Sequence, residues 1–143
     1  MRHLATFEIG GEPVGKQRPR MTKQGHVYTP AKTVEYEQAV QWAARAVFKD
    51  DPVGNAIAAT INVFVVPPKS WPARQRNAAL KGTFAPIHRV DLDNVAKAVC
   101  DALNGVVYQD DKQIIWLTVR RHWADKPKVK VTIEAFELDA VAA

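Results

Sequence analysis

Between residues 56 and 66 the chain alternates in an extended pattern, with Ile57, Ala59, Ile61, Val63 and Val65 on one face. The opposite face is also fairly apolar, which predicts a central strand that Pro67-Pro68 ends. The same period returns at 128–136, where Val129, Val131, Ile133 and Ala135 alternate with Lys130, Thr132 and Glu134. Further strands are expected at 4–9 and 113–121, the latter joined to 128–136 through Asp125-Lys126-Pro127. Helical spacing follows Thr29-Pro30 over 31–48, with Val34, Ala39, Trp42, Ala43, Ala46 and Val47 as the apolar positions. A second helix is expected to start near Asp93, with Val95, Val99, Ala102 and Leu103 on one face and Ala98 beside them. Lys97 and Asp101 fall on another face with Asn94 close by, and Asn104-Gly105 is a natural stop.

The connecting segments read differently. Residues 10–31 are rich in Gly, Pro and basic residues and predict a loop or loose hairpin ending at Val27-Tyr28-Thr29. Asp50 to Asn55 is a turn, Trp71 to Lys81 a short basic helix, and 83–90 a loop or extended arm. Trp42 and Trp116 are expected to pack in the core, with Trp123 open to an interface. The order β-α-β-(α)-α-β-β predicts an α+β fold: one domain over residues 1–143, with a small mixed sheet and helices on one face.

Composition narrows the partners. The single cysteine, Cys100, excludes an intramolecular disulfide and a cysteine-built zinc site within one chain, and fits a reducing cytoplasm. The first eight residues lack the apolar stretch of a signal peptide, and no run is long enough to span a bilayer, so a cytoplasmic protein without a membrane partner is expected. Net charge is +5, unevenly spread: residues 91–111 hold five acids and Lys97, a local −4, and the rest carries +9. A basic body with one acidic focus suits a metal-using enzyme acting on a polyanion, although chance clustering on a solvated surface gives the same pattern.

The acidic focus is Asp91-Leu92-Asp93-Asn94-Val95-Ala96-Lys97, then Asp101, then Asp110-Asp111. Residues two apart in extended chain point the same way, so Asp91 and Asp93 can converge if the chain stays extended to the helix start. Asp111 can join them only if the 104–111 loop folds back along the helix. Hard divalent cations take carboxylate oxygens, and Lys97, one turn after Asp93, could meet a phosphate. Each feature alone has a plainer reading: Asp93 as a helix cap, Asp93–Lys97 as an exposed pair, Asp110-Asp111 as turn residues, Asp101 as a solvated or hydrogen-bonded helix residue, His88 as a loop histidine.

Residues 91–114 resemble the signature of the RusA family of Holliday junction resolvases, D-x-D-N-x-x-K, then D-A-L, then D-D after a gap. Gly15-Lys16-Gln17-Arg18-Pro19-Arg20, Tyr28-Thr29-Pro30 and Pro67-Pro68-Lys69-Ser70-Trp71 extend the resemblance over most of the chain. It implies metal-binding, catalytic roles for Asp91, Asp93 and Asp111, a catalytic role for Lys97, and Mg2+ as cofactor with Mn2+ as a substitute. It also implies a homodimer that cuts four-way junction DNA with paired symmetric nicks in recombination and repair, in a phage or prophage setting. His88-Arg89-Val90 departs from the more basic run that some members carry before the first aspartate.

Lys16, Arg18 and Arg20 are spaced by two where Pro19 disfavours helix, a one-sided comb suited to a phosphate backbone. Lys69 and Arg89 are expected to widen this DNA-binding patch, with Arg74, Arg76 and Lys81 near them. Two other classes compete: a catalytically silent dimer that grips branched DNA, and a phosphohydrolase acting on small molecules, which the lack of a P-loop disfavours.

Overall fold

The most apolar segment becomes the middle of the sheet. In the computed structural model, which describes residues 1–140, β4 (Asn55–Val65) pairs in parallel with β5 (Ile114–Trp123) and antiparallel with β6 (Lys128–Asp139). β6 pairs in turn with β1 (Arg2–Gly10), giving the order β1-β6-β4-β5. The expected mixed sheet and α+β class are thus observed. Residues 141–143 of the expected single domain lie outside the described residues.

One face of the sheet is dry. Ile57, Ala59, Ile61, Val63 and Val65 of β4 and Val129, Val131, Ile133 and Ala135 of β6 are all buried. Two helices cover that face, α1 (Ala31–Val47) and α3 (Leu92–Ala102), and pack on one another. The apolar face predicted for α3 is correct: Val95, Ala98, Val99, Ala102 and Leu103 are all buried.

The face predicted for α1 is not. The helix buries Thr33, Tyr36, Val40 and Ala44, and turns Val34, Ala39, Trp42, Ala46 and Val47 outward, with Ala43 at the margin. Both stripes have helical spacing, and the outward one is made of alanines, valines and a tryptophan that read as core. The chain picks the stripe whose ends can be satisfied: Thr33 bonds Gln17, and Phe48 continues the buried line past the C-terminus. Trp42 is 77% exposed and Trp116, on β5, is 58% exposed, so neither is a core residue.

The remaining elements are small. Residues 20–28 do form a hairpin, β2 (Arg20–Met21) with β3 (Val27–Tyr28). The basic helix is shorter than predicted, α2 (Ala73–Leu80), and buries only Ala79. It rides on an arm tied to the end of β5, where Trp71, Phe84 and Trp123 pack edge to face or tilted at 5.6–6.4 Å between centroids. The Trp123 indole N–H donates to the Phe84 carbonyl at 3.2 Å, and the Arg121 guanidinium donates to the Val90 carbonyl.

Candidate functional site

The local chemistry of the D-x-D-N segment is that of a helix start. Asp91 is the N-cap of α3, extended at φ −76° and ψ 118°. Its Oδ1 accepts the Asp93 N–H at 2.9 Å, and its Oδ2 lies 3.4 Å from the Asn94 amide nitrogen. A carboxylate here satisfies an otherwise orphaned amide and meets the positive end of the helix dipole. The helix therefore begins one residue earlier than predicted. Asp91 and Asp93 are neighbours through cap geometry, not through strand alternation, and Asp93 and Lys97 project from successive turns, both exposed.

The return of the chain to α3 is built from buried groups. Gly105, at φ +73°, reverses direction after the helix, a backbone conformation that favours glycine. Val106, Val107 and Tyr108 then plunge into the core, and the Tyr108 hydroxyl donates to the Cys100 carbonyl at 2.7 Å. Val53 clips the loop from outside by bonding the Val107 carbonyl and the Gln109 N–H. Asp110 caps a 3₁₀ turn over Asp111–Gln113. Gln113 is buried: its amide donates to the Val53 and Asn55 carbonyls at 2.8 and 2.9 Å, and its Oε1 accepts the Asp110 N–H at 2.9 Å. That clamp delivers Asp111 to the side of α3.

Asp111 arrives beside Asp101. A hydrogen bond between the two carboxyls, reinforced by partial burial and by the charges of Asp101 and Asp110, pushes Asp111 up to about 6. Asp101 also meets Lys16, whose ammonium lies 3.4 Å from Asp101 Oδ2 and bonds Glu37 of α1. Burial works against the Lys16 charge, but the bond to Glu37 and the Glu37 and Asp101 carboxylates outweigh it and hold the ammonium above its ordinary value. The neighbouring backbone is fastened too: Lys16 N–H donates to the Asn94 carbonyl at 2.9 Å, and Gly15 sits so close to α3 that a Cβ would meet Asn94 Cβ at 3.0 Å. Lys16, expected to reach a phosphate, is instead turned inward, because three elements bring two carboxylates to it.

Asp93, Lys97 and Asp111 share one cleft of about 430 Å³ between α3 and β5, floored by Ala96, Cys100, Ile114, Leu117 and Val119. Asp91 stands at the top of α3 and does not line it. Burial pushes the Cys100 thiol up to about 11, so it is an apolar floor and not a nucleophile. Among the described residues no three His, Cys, Asp or Glu side chains are close enough to enclose a metal by themselves. The donor set nevertheless fits a hard cation that takes one or two carboxylates and fills its remaining positions with water and substrate phosphate. A carboxylate raised by a neighbouring acid, as Asp111 is by Asp101, is also a natural seat for positive charge.

The basic residues divide into two places. Arg18 and Arg20 are exposed beyond the anchored Lys16. Lys69 and Arg89 line a second groove of about 730 Å³ with Lys32, Pro67, Pro68 and His88. Burial lowers His88, and its Nδ1 accepts the Val90 N–H at 3.2 Å, which suits the loop role. Lys32, Glu37 and Gln113 were not singled out from sequence. For Gln113 a signal existed, since Asp110-x-x-Gln113 has the spacing of a capping box. Lys32 and Glu37 carried none, because their relevance depends on where α1 lies.

A family model described as endodeoxyribonuclease RusA matches residues 10–134. An uncharacterized protein of Bacillus subtilis (strain 168), YqaN, is 32% identical over 132 residues, covering 89% of this chain and 93% of that protein. No helix among the described residues is long and apolar enough to cross a membrane.

Proposed function

The chain belongs to the RusA family of endodeoxyribonucleases, and from that premise we propose that it resolves four-way DNA junctions as a homodimer, by divalent-metal-dependent paired nicks. The observation that carries this reading is the convergence of Asp93, Lys97 and Asp111 on one open cleft. Asp93 and Asp111 would hold Mg2+, or Mn2+ in its place, with Asp91 close enough in the chain to bond its water shell. When bound, the ion supplies Lewis acidity toward the scissile phosphate and hydroxide at neutral pH.

The chain's own groups do the rest. Lys97 sets a positive charge beside the phosphate and offsets charge developing on its oxygens. Asp101 fixes the rotamer of Asp111, and Lys16 with Glu37 fixes Asp101. The Ala96, Cys100 and Leu117 floor keeps one side of the reacting phosphate dry. Arg18, Arg20, Lys69 and Arg89, joined by Lys32, neutralise phosphates away from the cut without reading sequence. Such contacts suit an enzyme selecting DNA by shape, in recombination and repair in the cytoplasm of a phage or prophage host.

The test is cleavage of a labelled mobile four-way junction against matched linear duplex, with Mg2+, Mn2+ or EDTA. Symmetric nicks in opposing strands are expected, lost in EDTA and in Asp93→Asn, Asp111→Asn and Lys97→Ala while junction binding persists. Tight junction binding with no cleavage under any divalent ion would refute the nuclease reading and leave a branched-DNA-binding dimer.

A further inference from the structure

Positive charge is concentrated in one part of this chain. Residues 52–90 hold Lys69, Arg74, Arg76, Lys81 and Arg89 and no Asp or Glu, so the net +5 resides there and the remaining bases and acids balance. The last part of that stretch, 83–90, is the arm that joins α2 to α3. It carries Ile87, which is 84% exposed, the most exposed large apolar side chain among the described residues. A lone exposed isoleucine is ordinary on a protein surface, but this one sits on backbone that is fastened on both sides. The Trp123 indole N–H donates to the Phe84 carbonyl before it, and the Arg121 guanidinium donates to the Val90 carbonyl after it. Between those anchors the Ile87 N–H donates to the Ala85 carbonyl at 2.9 Å, a tight turn with Pro86 at its corner. His88 Nδ1 accepts the Val90 N–H at 3.2 Å and stiffens the other side. The arm is held by its backbone while the Ile87 side chain faces solvent.

The surroundings of Ile87 point to its partner. It lines the groove that also holds Lys32, Lys69 and Arg89, with Glu12 as the acid at that place. The cations suit a phosphate backbone, whereas an isoleucine has nothing to offer a phosphate or the hydrogen-bonding edge of a base. An aliphatic side chain among phosphate-holding cations suits insertion between bases. Ile87 lies four residues before Asp91, the cap of α3, at most about 14 Å of extended chain. It therefore meets DNA close to the strand that reaches Asp93 and Lys97.

Selectivity supplies the physical reason for such a group. Phosphate contacts hold linear and branched DNA alike. A wedge discriminates, because a step inside continuous duplex must be unstacked against its own stability, whereas a step at a branch already lacks a stacking neighbour. We infer that Ile87 enters the base stack at the branch point and sets the preference for junction over linear DNA. The inference rests on the junction-cleaving reading and adds the group that recognises the branch.

The experiment uses a four-way junction with 2-aminopurine at the branch point, and the matched linear duplex, bound in EDTA by the wild type, Ile87→Ser, Ile87→Leu and Leu80→Ser. Leu80 is exposed on α2 outside this groove, so its variant controls for loss of any exposed apolar side chain. Circular dichroism checks folding, and Ile87→Ala replaces Ile87→Ser if the serine variant misfolds. The wild type, Ile87→Leu and Leu80→Ser are expected to raise the 2-aminopurine fluorescence on binding, and Ile87→Ser to lose most of that rise. Ile87→Ser should bind the junction about tenfold more weakly, with affinity for linear duplex and the salt dependence of binding unchanged.

No fluorescence rise in the junction-bound wild type, an unchanged junction preference in Ile87→Ser, or an equal loss on both DNAs would each overturn the inference. So would a fall in sedimenting mass of DNA-free Ile87→Ser, which would mean that the side chain docks on protein. Nicking of the same junction in Mg2+ separates the two readings. Branch opening that depends on Ile87 without nicking sinks the nuclease reading alone, and nicking with an unchanged preference in Ile87→Ser sinks the wedge alone.

Discussion

Lys16→Met distinguishes a lysine that holds the site together from one that touches DNA. The substitution keeps the aliphatic stem and removes the ammonium, leaving Glu37 and Asp101 side by side without a cation. The three side chains are only 22–24% exposed. The loss should therefore fall between that of a surface pair, up to about 1 kcal/mol, and that of a buried one, about 3–5 kcal/mol, so about 2 kcal/mol. With an unfolding entropy of about 2.1 cal/mol/K per residue, a 143-residue chain changes by about 0.3 kcal/mol per degree, and Tm should drop by roughly 5–7 °C. The Lys16 charge is favoured in the folded state, so its contribution is complete below its ordinary value near 10.5 and is lost only as pH rises through the higher folded value. The Tm difference should therefore be flat between pH 6 and 9. Nicking should fall because Asp101, and through it Asp111, loses its anchor, and Lys16→Arg should restore part of both. Calorimetry and a salt titration of junction binding are the assays. An unchanged Tm, with the slope of log affinity against log salt reduced by about 0.9, would mean that Lys16 neutralises a phosphate and that its inward pairing is not its role.

Three further outcomes are expected. In EDTA, Asp111→Asn should melt higher than wild type at pH 8 and not at pH 4: Asp111 is raised to about 6, so its contribution is present below 3.8 and lost as pH climbs through 6. Partial exposure keeps that gain below about 1 kcal/mol, and equal Tm values at pH 8 would contradict the raised Asp111 value. Gln113→Leu strands the Asp110 N–H and takes the Gln113 donor from the Val53 and Asn55 carbonyls, although Val53 keeps the Gln109 N–H; it should cost about 2 kcal/mol in urea unfolding and expose 104–113 to protease, whereas wild-type stability would show that the clamp is dispensable. Gly15→Ala forces a contact at 3.0 Å against Asn94 Cβ, so about 1 kcal/mol of stability and faster hydrogen exchange of the Lys16 amide are expected, and unchanged exchange would argue that the loop shifts freely.

Local patterns carried much of the fold. β4 and β6 were legible because period-two alternation needs no knowledge of neighbours, and α3 because its apolar stripe is compact and its caps are strong. α1 was legible as a helix and misread in phase. Alanine and valine stripes on opposite sides score alike until Thr33 meets Gln17 and Tyr36 meets the core. Trp116 was misread for a related reason: alternation marks a strand but not whether the strand ends up inside the sheet or on its rim.

The candidate site divides along the same line. By itself the sequence determined the residue types, a carboxylate-rich start of α3, the one-turn spacing of Asp93 and Lys97, and the acidic focus within a basic chain, because all of these are set by bonds and turns within a few residues, although it put the cap at Asp93 and not at Asp91. Only the tertiary structure decided that Asp111 reaches α3 and lies beside Asp101, that Lys16 faces Glu37 and Asp101 instead of solvent, and that Lys32 joins Lys69 and Arg89. Those facts depend on contacts between residues far apart in the chain. Their cause is the burial of Tyr108 and Gln113 and the packing of α1 on α3, which no local spacing encodes.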